Sequence, residues 1–157
     1  MLKKLIDYLD DHNVRYVSMH HSSAYTAQEV AEVAHVHGDD FAKTVIVKCD
    51  GELAMAVLPA PERIDLELLQ SAAGAKLVEL ATENEFRDHF PECEVGAMPP
   101  FGNLFDMETY LEEEMINNDR IIFNAGSHTE LVQLSLKDYL SLVNPEVVRI
   151  STEYTAG

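Results

Sequence analysis

The chain has 157 residues, with 11 lysines and arginines against 28 aspartates and glutamates, for a formal net charge of −17. That length fits one domain with its own hydrophobic core, and 46% apolar residues exclude a wholly disordered chain. The charge argues against unaided tight binding to nucleic acid, because phosphates recruit lysine and arginine, and no apolar run is long enough to span a bilayer.

Leu2, Leu5, Ile6 and Leu9 recur at helical spacing, so residues 2–12 read as an amphipathic helix and not as a signal peptide. Residues 14–20, VRYVSMH, read as a short strand. TAQE, Thr26 to Glu29, is a capping box that opens a second helix, whose Ala27, Val30, Ala31 and Ala34 form a small-residue face. The runs 43–49 and 52–58 flank Asp50-Gly51, a pair suited to positive φ, and predict a hairpin. Both runs are apolar on both faces, as central strands covered from two sides are. Residues 65–73 form a third helix stopped by Gly74, KLVELA a strand, and TENE (82–85) a second capping box before a helix ending near His89. Residues 107–115 read as a strand running into a helical turn. RIIFN and LVQLS are strands joined by AGSHTE, and Ser135 caps a last helix over 136–143. EVVRIS is a candidate final strand. The alternation implies one mixed α/β domain over residues 1–150, with residues 151–157 as a fraying tail. Cys49 and Cys93 are far apart and in no C-x-x-C pattern, which makes the cytoplasm the default compartment.

Three places carry candidate chemistry. Lys43 shares a strand face with Val45, Val47 and Cys49; either it snorkels to water from the first residue of the strand or it is a functional ammonium. The stretch EVGAMPPFGN (94–103) is stiff and nearly uncharged. Gly96 can offer its N–H at close range, while Pro99 and Pro100 fix the backbone, so the loop is either a rigid connection or an oxyanion holder. Gly126, Ser127 and His128 lie at a hairpin tip. A Ser-His dyad there lacks an identifiable acid, which leaves His128 as a polar contact to a substrate or a solvent-facing turn residue. His20-His21 and His35-Val36-His37 do not have the spacing that puts two ligands on one helical face, so no metal site is expected. The run Glu112–Glu114 reads as a solvated face.

Singly these signals are common, but their order is specific. FAKTVIVK with Lys43, then VGAMPPFG, then IIFNAGSHTELVQLS, preceded by HSSAYTAQEVAEVAHV, resembles the YbaK/prolyl-tRNA-synthetase-associated editing domain family over residues 14–143. The resemblance implies a barrel-like mixed sheet with flanking helices. It also implies a metal-independent aminoacyl-tRNA deacylase without a cofactor or covalent nucleophile, in which the ribose hydroxyl of the substrate helps to activate water. Short chains of this family stand alone and act in trans, mostly on proline tRNA carrying a small wrong amino acid. Carried onto this sequence, Lys43 contacts the tRNA 3′ end, Gly96 presents its backbone to the aminoacyl group, and Pro100 closes that motif. Gly126, Ser127 and His128 border the amino-acid pocket, and Tyr25 and Thr26 line it. Lys43, Gly96 and His128 are thus the expected catalytic set. Leu111 and Glu112 stand where many relatives carry an aspartate. The acidity points to a grip confined to the tRNA end, with prolyl-tRNA synthetase as the protein partner the resemblance raises and no membrane role. The alternative is a non-catalytic module that uses the same pocket for an amino acid, a nucleotide or a protein tail.

Overall fold

A computed structural model of the chain describes residues 2–20 and 40–153. The expected second helix, with Tyr25, Thr26 and the histidines at 21, 35 and 37, lies outside the described residues.

The helix α1 (Lys3–Asp11) buries Leu5 and Leu9, spaced four apart, and is followed by β1 (Tyr16–His20). The predicted hairpin is β2 (Ala42–Cys49) and β3 (Glu52–Pro59), turning through Asp50 at φ 51° and Gly51 at φ 87°. A short β4 (Glu62–Ile64) leads into α2 (Leu66–Ala73). Asp65 caps that helix by accepting the N–H groups of Glu67 and Leu68, and Gly74 ends it at φ 65°. After β5 (Val78–Leu80), Thr82 and Glu85 form the full capping box of α3 (Glu83–Phe86), and a 3-10 turn continues it to His89. The rest of the chain supplies β6 (Glu108–Glu112), β7 (Arg120–Asn124), β8 (Glu130–Ser135), α4 (Leu136–Val143), β9 (Glu146–Val148) and β10 (Ser151–Glu153).

The described strands make three ladders, in the orders β1-β8-β7, β10-β4 and β5-β2-β3-β6-β9. Pairing is antiparallel except for β3 with β6 and β6 with β9, so the five-stranded sheet is mixed. The hairpin strands β2 and β3 are central in it and covered on both faces. Val47, Ala54 and Ala56 pack with Leu69 and Ile150, whereas Ile46 and Met55 pack with Phe86, Phe90 and Met98. A third cluster, around Phe101, Phe123, Tyr139 and Leu5, fills the space between α1, α4 and the β7-β8 hairpin. No pairing among the described residues closes a ladder into a barrel; the two larger sheets meet at one parallel bridge, Phe41 to Ile122. No described helix is long and apolar enough to cross a membrane.

Two expectations need correction. The tail expected to fray from residue 151 is instead strand through Glu153, because Ser151, Thr152 and Glu153 pair with Ile64, Arg63 and Glu62. The run Glu112–Glu114 is not a uniform solvated face. Glu112 is fully buried, and its carboxylate accepts the N–H groups of Ile150, Ser151 and Glu114. Three N–H donors offset the cost of burying that carboxylate, and they fasten the C-terminal strand to β6.

Candidate active site

The glycine-proline loop and the β7-β8 tip are built as one unit. Glu94 N–H donates to the Gly126 carbonyl at 2.8 Å, and Gly126 N–H donates to the Ala97 carbonyl at 2.9 Å. Within the loop, Ala97 N–H closes a turn onto the Glu94 carbonyl at 3.0 Å. Side chains add two more links: the Glu94 carboxylate accepts His128 N–H at 3.0 Å, and His128 Nε2 bonds the Val95 carbonyl at 2.7 Å. A carbonyl only accepts, so Nε2 carries a proton.

Gly96 sits at φ 86°, and a Cβ built there would lie 3.3 Å from His128 Cε1. The position therefore requires glycine twice, for its backbone conformation and for the ring beside it. Gly126 is comparable: at φ 98°, its Cβ would come within 3.1 Å of Leu2 Cβ. Leu2 N–H in turn donates to the Ala125 carbonyl, so the start of α1 backs the tip. Downstream, Pro100 is buried, and its carbonyl accepts the hydroxyl of Tyr139 at 2.7 Å. Tyr139 is fully buried, and that burial pushes its phenol far above the ordinary range. The loop is thus pinned at both ends and exposed at Gly96. Among the described residues no acceptor takes the Gly96 N–H.

Ser127 is occupied locally: its hydroxyl bonds Thr129 Oγ1 at 3.0 Å and accepts Thr129 N–H at 3.2 Å. It makes no hydrogen bond to the His128 ring, so the described geometry forms no Ser-His dyad.

Lys43 lies in β2, opposite Leu58. Its neighbour Ala42 faces the cluster that holds Phe101, so Lys43 alternates onto the other face, with Phe41. Phe41 packs there against Ile122, Leu131 and Met19. The bridge to Ile122 is parallel, so the step from Phe41 to Lys43 runs the same way as β7 runs toward its tip. The ammonium is half-buried, and its pKa is lowered by desolvation, partly countered by the Glu62 carboxylate. No hydrogen bond or ion pair among the described residues joins Lys43 to the loop-tip unit. The chain leaves β1 at His20, opposite Glu130 beside the tip, and returns at Asp40 just before Lys43. Tyr25 and Thr26 fall between, outside the described residues.

Other groups take no part in this arrangement. Burial raises the thiol pKa of Cys49, and that of Cys93 to about 11, so neither is a ready nucleophile. Among the described residues no cluster of three or more His, Cys, Asp or Glu side chains is placed to hold a metal ion. A cleft of about 990 Å³, lined in part by Lys48, Glu85, His89 and Asp106, lies away from the loop. Sequence reasoning did not single out Glu94, which spans 34 positions to reach His128. An acidic residue two before a glycine carries no local signal of such a reach.

The model of the aminoacyl-tRNA editing domain matches residues 21–142. The chain is 28% identical over 151 residues to the multifunctional Ser/Thr-tRNA deacylase ProXp-y of Escherichia coli K12, covering 93% of this chain and 90% of that one. It is 23% identical to the prolyl-tRNA editing protein ProX of Acetoanaerobium sticklandii, over 86% and 85% of the two chains. A crystal structure of a candidate trans-editing enzyme for prolyl-tRNA synthetase superposes with a TM-score of 0.82 at 19% identity, covering 96% of both chains, which shows the fold. The chain belongs to the aminoacyl-tRNA editing domain family.

Proposed function

We propose that this protein is a cytoplasmic aminoacyl-tRNA deacylase that acts in trans. Its substrate is a tRNA, proline tRNA foremost, that carries a small wrong amino acid on its terminal adenosine. The observation that carries this reading is the exposed Gly96, whose N–H has no acceptor among the described residues and which the tip holds in a conformation that only glycine adopts easily. Ester hydrolysis builds negative charge on the carbonyl oxygen, and a fixed N–H aimed at that oxygen lowers the barrier by a few kcal/mol. The names of the relatives agree with this chemistry.

In this reading the pocket lies on the sheet face of Phe41 and Lys43, with the two larger sheets acting as one barrel-like wrap through the Phe41–Ile122 bridge. Lys43 meets a phosphate or ribose oxygen at the 3′ end. Gly126 and Ser127 form one wall, with His128 behind it against the Val95–Gly96 peptide, Tyr25 and Thr26 form another, and Pro100 braces the loop. Such a pocket excludes large side chains, while one methylene distinguishes substrates by only about 1–3 kcal/mol. The acidic surface confines the grip to the tRNA end, and prolyl-tRNA synthetase is the partner suited to deliver it.

The test is ester loss from proline tRNA charged with alanine, cysteine, serine or threonine, for the native protein and Lys43→Ala. The native protein clears at least one substrate. Lys43→Ala loses about 10²-fold or more in rate with its thermal unfolding little changed. No ester loss from any substrate, with or without prolyl-tRNA synthetase, overturns the deacylase reading in favour of a binding module. Full activity in Lys43→Ala removes the lysine from the site.

A further inference from the structure

We propose that His128 and Glu94 are positioning residues that act through one peptide unit, Val95–Gly96, and that His128 is not the base of the reaction. This rests on the deacylase reading and states how its loop is held. His128 Nε2–H donates to the Val95 carbonyl at 2.7 Å. That carbonyl and the Gly96 N–H belong to the same trans peptide, in which C=O and N–H point in opposite directions. The histidine therefore grips the back of the group whose front is the exposed Gly96 N–H. A hydrogen bond received by the carbonyl fixes the peptide plane and polarises the N–H into a stronger donor.

The ring also lies flush against Gly96, since a Cβ there would sit 3.3 Å from Cε1 and 3.6 Å from Nε2. This contact stops the peptide from flipping toward the tip. Glu94 completes the clamp from the other side. Its carboxylate accepts the backbone N–H of His128 at 3.0 Å, and its own N–H donates to the Gly126 carbonyl. The imidazole proton is thus committed to a structural bond, and Glu94 sets where the imidazole stands. A base at Nε2 would have to break the bond that aims the donor.

Two measurements decide this. First, long-range proton–nitrogen spectra of the native protein at neutral pH show the Nε2–H tautomer for His128. The Gly96 amide nitrogen shift moves in His128→Phe but little in His128→Gln, whose side-chain N–H can still reach the carbonyl. An Nδ1–H tautomer, or equal shifts in both variants, overturns the clamp whether or not the protein deacylates. Second, kinetics are run on the mischarged tRNA that the native protein clears fastest. His128→Gln keeps kcat within about threefold, whereas His128→Phe and His128→Ala lose about 10–10²-fold in kcat with KM nearly constant. Glu94→Gln, which keeps an acceptor, stays near native, and Glu94→Ala falls with His128→Ala. If His128→Gln is as slow as His128→Ala and loses an ascending limb of the kcat–pH profile, histidine is a base and the inference fails. A native protein inactive on every substrate sinks the deacylase reading instead and leaves the spectra to judge the clamp.

Discussion

Gly51 and Gly96 have nearly the same backbone angle, φ 87° and φ 86°. Around Gly51 nothing lies within 4 Å of where a Cβ would stand, while at Gly96 a histidine ring does. The first glycine serves a hairpin turn held through its neighbour Asp50, whose carboxylate accepts the N–H groups of Lys76 and Leu77 and whose N–H donates to the Leu77 carbonyl, while Gly51 itself faces open space. The second serves a turn that another hairpin grips with backbone bonds, a carboxylate and a ring. Positive φ alone therefore marks a bend in the chain; what separates the two glycines is what stands against the glycine itself.

Substitutions can break or sharpen that contrast. Gly96→Ala should have the largest effect. It introduces strain and presses the His128 ring, so the Gly96 amide moves off its line and kcat on mischarged tRNA falls by about 10²-fold, with KM much less affected. Steady-state kinetics across the amino-acid panel would read this. Gly126→Ala comes next, since its Cβ meets the Leu2 backbone region and side chain rather than a movable ring tip. It should cost about 2 kcal/mol of stability in a denaturant titration, with partial loss of activity. Gly51→Ala should be mildest, costing about 1 kcal/mol from backbone strain, with native deacylation rates. If Gly51→Ala slows deacylation as much as Gly96→Ala, the contrast drawn from their surroundings is wrong.

Much of the fold was legible because its signals are local. Asp50-Gly51 named the hairpin, Thr82 and Glu85 the capping box, Gly74 the end of α2, and Ser135 the cap of α4, whose hydroxyl accepts Asp138 N–H. Each requires only a few neighbours in sequence. What escaped is non-local. Glu112 sits in an acidic run yet is buried by N–H groups 38 and 39 positions away. Thr152 and Glu153 are too short a run to read as a strand and are drawn into one by β4. The candidate site divides the same way. Gly96, Gly126 and His128 were flagged by residue type and order, but Glu94 was not, because a carboxylate does not announce in sequence which amide it will reach. That no ladder closes among the described residues was not legible either, since closure depends on long-range pairing that no strand encodes alone.

The amide of Leu2 rests on Ala125, with its side chain under Gly126. The Leu2 end of α1 is therefore a buttress for the β7-β8 tip. Anything joined ahead of it, whether a purification handle or a neighbouring module, would crowd the β7-β8 tip on which Leu2 rests.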